Sequence, residues 1–276
     1  MSFGPLFIVS VISGLVGAMT GMGGGLLLVP VLTFFQIDIK QAIAIANLST
    51  IAVAISATVV TLRRHMPNLN VSSFLQMFAV AGAWIGALIT VSLGRRPIFF
   101  LYGIFLLFSC LVLWRDGKRN KTVPARQDPV SQRLRLEGSY YDYAEKRTIH
   151  YQARHVSLAG FLMFGAALIS GAFSIGTAVF TILIHEAVME LPTKVSLSTS
   201  QLVIAVMALI STNVYLEKGL INAELVAPVL LGVSLGALIG SKLFINIKNQ
   251  VARVILLSGM IFLGIQMILR GIGVAR

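Results

Sequence analysis

Two short motifs carry the residues best suited to bind a solute, and each lies between long apolar stretches. The first motif spans residues 21–25 (GMGGG) and the second spans residues 174–178 (SIGTA). Glycine lets a ligand or a neighbouring backbone approach the chain closely. A helix that starts at Leu26 would direct the positive end of its dipole toward these glycines, which favours binding of an anion. The structural alternative is a glycine hinge or a tight helix crossing.

Polar side chains on the apolar segment that follows each motif form a second group of candidates. The first half of the chain supplies Asn47, Ser49 and Thr50, and the second half supplies Ser196, Ser198, Thr199, Ser200 and Gln201. Ser and Thr usually bond back to their own helix, whereas the amides of Asn47 and Gln201 are less easily satisfied in that way. Inside a bilayer each polar group must find a partner. We therefore expect Asn47 and Gln201 to line a cavity.

The candidate substrate-binding residues come from these motifs and segments. They are Gly21, Gly23, Gly24, Gly25, Asn47, Ser174, Gly176, Thr177, Ser200 and Gln201. In the second motif Ser174 and Thr177 replace two glycines, and their hydroxyls can donate directly to an anion. The two halves therefore need not bind alike.

An adjacent ionisable pair, His185 and Glu186, lies within an apolar stretch. At depth in a membrane these two residues would be candidates for proton coupling. The alternative, which we favour here because charge is usually excluded from lipid, places them at the membrane interface, where the segment ends before Pro192.

No arrangement of residues typical of an enzyme is present in the sequence. It contains no Ser/His/Asp spacing, no metal-binding cluster and no phosphate-binding Lys-Ser/Thr loop. Cys110 is the only cysteine, which excludes an intramolecular disulfide and a cysteine-based metal site. We therefore expect neither an enzyme nor a cofactor.

The composition places these motifs in a membrane. Hydrophobic residues make up 57% of the chain and charged residues 12%, and the mean hydropathy is +0.88, values outside the range of ordinary soluble domains. The net charge of +12 is attributed to cytoplasmic loops and anionic headgroups, and not to nucleic-acid binding. The first apolar stretch has no basic start and no cleavage site, so we expect it to be retained.

Internal similarity indicates two homologous halves. Placing Gly21 on Ser174, an offset of 153, sets Asn47 opposite Ser200 without a gap. At an offset of 150, residues 82–89 (GAWIGALI) match residues 232–239 (GVSLGALI). Glycines four residues apart also let helices pack closely, so each match alone could be only a packing face. Two matches in the same order favour an internal duplication.

The predicted fold is an all-α polytopic membrane protein with two repeats. In each repeat a pair of half-helices, each too short to cross the bilayer comfortably, precedes three spans. The predicted segments are 5–20, 22–36, 41–62, 71–93 and 97–114, then 156–173, 177–191, 195–215, 220–241 and 250–270. The first repeat is residues 1–114 and the second is residues 155–276. We expect inverted repeats, whereas a single kinked crossing in place of each half-helix pair would make the halves parallel.

A basic insert, residues 115–154, separates the repeats and contains ten Lys and Arg against five Asp and Glu. This charge predicts that the insert is cytoplasmic. Alternation in residues 133–137 and 148–151, with Tyr140, Tyr141 and Tyr143 between them, suggests a short β-hairpin or a small three-stranded sheet. A flexible linker is the alternative.

These motifs resemble those of the sulfite exporter TauE/SafE permeases, also called the four-toluene-sulfonate uptake permease family. The resemblance rests on residues 13–17 (SGLVG) leading into the first motif and Pro30, on Ala46 and Asn47, on residues 170–176 (SGAFSIG), and on the repeated Gly-xxx-Gly-Ala-Leu-Ile segments. The family usually repeats the glycine-rich motif in its second half, where this chain has Ser174, Thr177 and Ala178. This departure bears on the identity of the substrate.

The resemblance implies a secondary carrier in the cell (inner) membrane for a small anion such as sulfite, a sulfonate or a related organic acid. We expect alternating access around a central site between the half-helix pairs. Its partners would be the anion and the lipid bilayer, and a homodimer is left open. The competing functions are an anion channel on the same fold and a non-transporting docking protein that acts through the insert.

Overall fold

The computed structural model describes residues 3–20, 24–63, 66–115, 129–142, 147–174, 177–244 and 250–273. Within these ranges the chain forms eleven α-helices, one π-helical turn and a two-stranded sheet. Gly21, Gly23 and Gly176 lie outside the described residues. The side chain of Thr177, the first residue of a helix, is also outside them.

The helices follow the predicted segments closely. The first half contains α1 (Phe3–Thr20), α2 (Gly25–Phe34), α3 (Ile39–Leu62), α4 (Leu69–Ser92) and α5 (Arg95–Arg115). The second half contains α7 (Val156–Phe173), α8 (Thr177–Leu183), the π-helical turn Ile184–Val188, α9 (Thr193–Glu217), α10 (Ala223–Phe244) and α11 (Gln250–Ile272). The short helix α6 (Pro129–Arg133) lies in the insert.

Five of these helices are long and apolar enough to cross a membrane: α3, α4, α7, α9 and residues Ala223–Lys242 of α10. The prediction that segment 156–173 is too short to cross is therefore wrong, because α7 is a continuous helix of 18 residues. Residues 4–19, 25–34 and 260–272 form shorter apolar helical stretches. Large apolar side chains such as Met77 and Phe161 are exposed on the bundle, at 77% and 72%. A lipid-facing surface accounts for this exposure, and the prediction of a polytopic helical membrane protein is confirmed.

The insert forms the predicted hairpin, but its first strand lies elsewhere in the sequence. Strand β1 (Glu137–Asp142) pairs antiparallel with β2 (Arg147–Gln152), with Glu137 opposite Gln152. The predicted strand 133–137 is wrong, because Arg133 ends α6. Tyr140 lies inside β1, where its ring packs 6.4 Å from that of Tyr151 on β2. Aromatic pairs stabilise neighbouring strands, which explains why Tyr140 lies within the first strand and not between two strands.

The hairpin is bonded to one end of the helical bundle. The side-chain amide of Asn68 donates to Tyr151 Oη (3.2 Å), and that of Asn70 donates to the carbonyl of Arg135 (2.9 Å). The backbone N–H of Asn68 donates to Thr199 Oγ1 near the start of α9 (3.0 Å). We call this end, which contains the hairpin and the starts of α4, α7 and α9, the insert face.

Both Gly-xxx-Gly segments serve as helix-packing faces. A Cβ atom on Gly86 of α4 would overlap the carbonyl oxygen of Leu168 on α7, and one on Gly236 of α10 would overlap that of Val11 on α1. The packing alternative is therefore observed for both segments. The internal duplication stays a prediction.

The glycine contacts also give the direction in which neighbouring helices run. Gly82 lies beside Phe164 and Gly86 beside Leu168, so α4 and α7 run parallel. Gly232 and Gly240 of α10 lie beside Phe7 and Leu15 of α1, so these two helices are also parallel.

Helices α5 and α11 run in opposite directions. Gly103 lies beside Gly264 and Ile268, whereas Phe100, earlier on α5, lies beside Gly271, later on α11. The last helix of the first half is therefore antiparallel to the last helix of the second half.

The α4–α7 crossing gives a stability prediction. In Gly86→Ala the new Cβ would overlap Leu168 O and lie 2.9 Å from Ala172 N, so the helices must separate. We expect a loss of about 1–3 kcal/mol in the free energy of unfolding, measured as a lower Tm of detergent-solubilised protein. The control is Gly165→Ala on α7, where a Cβ meets nothing within 4 Å. Equal Tm values for the two variants would contradict the proposed close crossing.

Candidate functional site

The two broken helix pairs meet inside the bundle. Gly25 is the first residue of α2, and a Cβ atom built on it would lie 2.7 Å from both the carbonyl and the hydroxyl oxygen of Ser174 and 2.9 Å from Thr50 Oγ1. The close approach predicted for the glycine motif is thus made by Ser174, from the other motif. We call Gly24, Gly25, Thr50 and Ser174 the junction.

Left-handed backbone conformations form the two breaks at the junction. Gly24 has φ 70° immediately before α2, and Ser174 has φ 50° and ψ 17° immediately after α7. Glycine adopts this region freely, whereas an L side chain such as that of Ser174 does so at a cost. Ser13 Oγ donates to the carbonyl of Gly24 (2.6 Å), which fixes the turn from α1 toward α2.

The electrostatics of the junction are asymmetric. The last carbonyls of α7 accept bonds from two hydroxyls: Thr90 donates to Ala172 O (2.5 Å), and Tyr215 donates to Gly171 O (2.6 Å). These bonds offset the partial negative charge at the end of α7. The first turn of α2, by contrast, has backbone N–H groups without intrahelical partners and carries partial positive charge. The junction therefore favours a negative ligand.

Two polar side chains without partners are buried on the elements that form the junction. Ser174 Oγ has no hydrogen-bond partner and its residue is 5% exposed, and Asn47 Nδ2 has none at 1% exposure. Asn47 precedes Thr50 by three residues, so both lie on similar faces of α3. Leaving such buried groups unpaired costs about 1–3 kcal/mol each. Both groups are able to donate a hydrogen bond.

Ser200 belongs to a second cluster, with His185. His185 lies in the π-helical turn, is 0% exposed, and its Nδ1 is 3.1 Å from Ser200 Oγ and 3.3 Å from Ser196 O. Ser200 donates its own proton to Ser196 O (2.7 Å). Both oxygens therefore accept from the imidazole, which assigns the proton of neutral His185 to Nδ1 and leaves Nε2 as an unpartnered acceptor.

The fold encloses His185 in protein, and Glu186 keeps partial exposure. Glu190, at the end of the same segment, forms an ion pair with Arg154 of the insert. The roles of His185 and Glu186 in proton coupling stay predictions. Among the described residues, no group of three or more His, Cys, Asp and Glu side chains comes together to hold a metal ion.

Gln201 faces a third environment, a small cavity of about 20 Å³ near the insert face. Successive residues of an α-helix point about 100° apart, so Gln201 turns away from the cluster that holds its neighbour Ser200. Gln201 thus lines a cavity, whereas its role in substrate binding stays a prediction. Ser174, Ser200 and Gln201 therefore lie in three different places: the junction, the His185 cluster and this cavity.

Four hydroxyls that shape the junction were not among the candidates from the sequence, whereas Thr50 was. The four are Ser13, Thr90, Tyr102 and Tyr215, and Tyr102 Oη lies 3.4 Å from the carbonyl of Leu26. Each is a hydroxyl inside an apolar helix, a signal that the sequence contains. However, back-bonding to the same helix is the usual role of such residues, and only the fold shows which of them bond across helices.

Comparisons of the sequence with known proteins match nearly the whole chain. A family model described as sulfite exporter TauE/SafE matches residues 6–267. The probable membrane transporter protein YunE of Bacillus subtilis (strain 168) is 26% identical over 285 residues, covering 99% of this chain and 99% of the relative. The probable membrane transporter protein YdhB of the same organism is 25% identical over 248 residues, covering 89% and 90%. No solved structure matches significantly.

The resemblance noted from the motifs is confirmed by these matches, and they identify a membrane transporter. Because the family match spans nearly the whole sequence, the chain belongs to the sulfite exporter TauE/SafE family.

Proposed function

We propose that this transporter moves a small sulfur-containing or organic anion, such as sulfite or a sulfonate, across the cell membrane by alternating access. One observation carries the proposal: the start of α2 meets Ser174 inside the bundle, and the buried hydroxyl of Ser174 has no hydrogen-bond partner. The sulfur chemistry comes from the description of the family, since the two relatives are named only as probable membrane transporters.

An oxyanion suits the junction because the junction offers donors and no negative group. Backbone N–H groups at the start of α2, the hydroxyl of Ser174 and the amide of Asn47 are all able to donate. A helix N-terminus also stabilises an anion through its partial positive charge. A buried Arg or Lys is therefore unnecessary, and a site made of neutral donors can release its ligand as well as bind it.

The directions of the helices support alternating access through inverted halves. Helices in corresponding positions of parallel halves run the same way, but α5 and α11 run in opposite directions. In the two halves α1 corresponds to α7, and α4 corresponds to α10. The α1–α10 and α4–α7 crossings are therefore equivalent and must have the same direction, and both are parallel. Repeats 1–114 and 155–276 then face opposite sides of the membrane, with insert 115–154 on the cytoplasmic side of the inner membrane. Rocking of one half against the other would open the junction to each side in turn.

The first experiment measures the thermal stability of purified protein with sulfite, thiosulfate, sulfate, short sulfonates and matching carboxylates. A ligand that binds only the folded state at 100 times its Kd stabilises it by about 2.7 kcal/mol. We expect a Tm increase with one class of anion. No increase with any of them, in protein shown to be folded, would contradict the anion site. Flux that is passive and independent of any counter-ion would favour a channel on the same fold.

A substitution of Asn47 tests its place in the site. Asn47→Leu keeps a similar side-chain size and removes the amide oxygen and nitrogen, so we expect loss of anion-dependent stabilisation and of transport while the folded protein remains in the membrane. Ser49→Ala on the same helix is the matched control, because the Ser49 hydroxyl is committed to Ala46 O (2.7 Å). Full transport by Asn47→Leu in proteoliposomes would remove Asn47 from the site.

Ser174 provides a test that separates stability from binding. In Ser174→Gly the left-handed conformation at φ 50° no longer carries a side chain, so we expect the free energy of unfolding to rise by about 0.5–1 kcal/mol. The same change removes a donor from the junction and should weaken anion binding. Thermal unfolding with and without the anion measures both effects. A variant that is stabilised and binds the anion as tightly as before would show that the hydroxyl is not a ligand.

A further inference from the structure

The π-helical turn Ile184–Val188 places an ionisable side chain in the interior of the bundle. His185 is 0% exposed, and the turn packs against α7, α8 and α9. The backbone N–H of Met189 donates to Ile184 O (2.9 Å), and that of Leu191 donates to His185 O (2.9 Å). Such turns are rare in helical segments and often occur at functional sites. The turn therefore holds the imidazole against α9.

Only one nitrogen of this imidazole has polar neighbours. Nδ1 of His185 lies 3.1 Å from Ser200 Oγ and 3.3 Å from Ser196 O, both on α9. Because Ser200 donates its own proton to Ser196 O (2.7 Å), both oxygens accept from Nδ1–H. The other nitrogen, Nε2, is buried and has no hydrogen-bond partner. Nε2 is therefore the atom that would receive an added proton.

A proton on Nε2 is incompatible with this packing. The charged imidazole would have two N–H groups, and only the one on Nδ1 has acceptors. A buried charged donor without an acceptor is strongly unfavourable. His185 can therefore bind a proton only when the turn and α9 move apart and water or another acceptor reaches Nε2. Protonation and the described conformation exclude each other.

The charged groups around the turn do not compensate a charge on His185 in this conformation. Neither α7 nor α8 contains a titratable side chain. The titratable side chains on the other elements are Glu186 in the turn, Glu190 just after it, and Lys194, Tyr215 and Glu217 on α9. Glu190 is paired with Arg154, and no side chain is hydrogen-bonded to Nε2 of His185.

We propose that His185 is the proton-binding residue of this transporter, and that its protonation releases the π-helical turn from α9 and so couples proton movement to anion transport. An imidazole exposed to water takes up a proton below about pH 6.5. Two conformations that differ in proton affinity are what such coupling requires. The proton site stands on the geometry of this cluster, whereas the coupling rests on the function proposed above.

The pH dependence of thermal stability, measured without any anion, tests the proton site. An imidazole released by unfolding gains a proton that the folded conformation excludes, so stability falls as the pH falls below about 6.5. We expect the Tm of the wild type to drop, between about pH 8 and about pH 5, by a few degrees more than that of His185→Asn. Asparagine keeps a donor near the position of Nδ1 and has no group that binds a proton in this range.

His155→Asn is the matched control. His155 is exposed and has φ 46°, a conformation that asparagine adopts readily. This variant should keep the pH dependence of the wild type. Equal pH dependence in the wild type and His185→Asn would overturn the proton site. His185→Gln serves in the same comparison if His185→Asn does not yield folded protein.

Uptake into proteoliposomes tests the coupling, with the anion that raises Tm in the panel above as the probe. A gradient that is acid outside should accelerate uptake severalfold in the wild type and in His155→Asn. His185→Asn should still exchange internal for external anion but lose the acceleration. A merely structural histidine would not produce this separation of exchange from gradient-driven uptake.

The outcomes distinguish the proton site from the anion site. Uptake that ignores the gradient in the wild type, or equal acceleration in His185→Asn, would overturn the coupling and leave His185 as a structural residue. If no anion raises Tm, the anion site fails and the coupling fails with it. The pH dependence of Tm then still decides whether the folded conformation excludes a proton from His185.

Discussion

The close approach of Gly25 to Ser174 is the constraint on which the rest of the structure depends. At this point a backbone carbonyl, two hydroxyls and the start of a helix occupy a space that a single Cβ atom would fill. The contact brings the break in one half of the chain against the break in the other. Thr50 of α3 lies at the same point, so the junction also fixes the position of α3. Any side chain at residue 25 would overlap these atoms, and only glycine avoids the overlap.

The polarity of the junction depends on how the neighbouring helix ends are satisfied. Where the end of one helix meets the start of another, the partial negative charge of the end would largely cancel the partial positive charge of the start. Here Thr90 and Tyr215 donate to the last carbonyls of α7, whereas the start of α2 keeps its donors. In the proposed site, these hydroxyls on α4 and α9 would favour a negative ligand without contacting it.

Hydropathy and glycine spacing were enough to predict the helices, because a bilayer demands long apolar helices with their backbone bonds satisfied internally. The same reasoning misplaced β1. Alternation in a short polar segment favours a strand less strongly than the cross-strand packing of Tyr140 with Tyr151 does. It also grouped Ser200 with Gln201. Their different environments follow from helix rotation relative to neighbours, which depends on tertiary packing. For the same reason the sequence did not show that Thr90 and Tyr215 bond across helices.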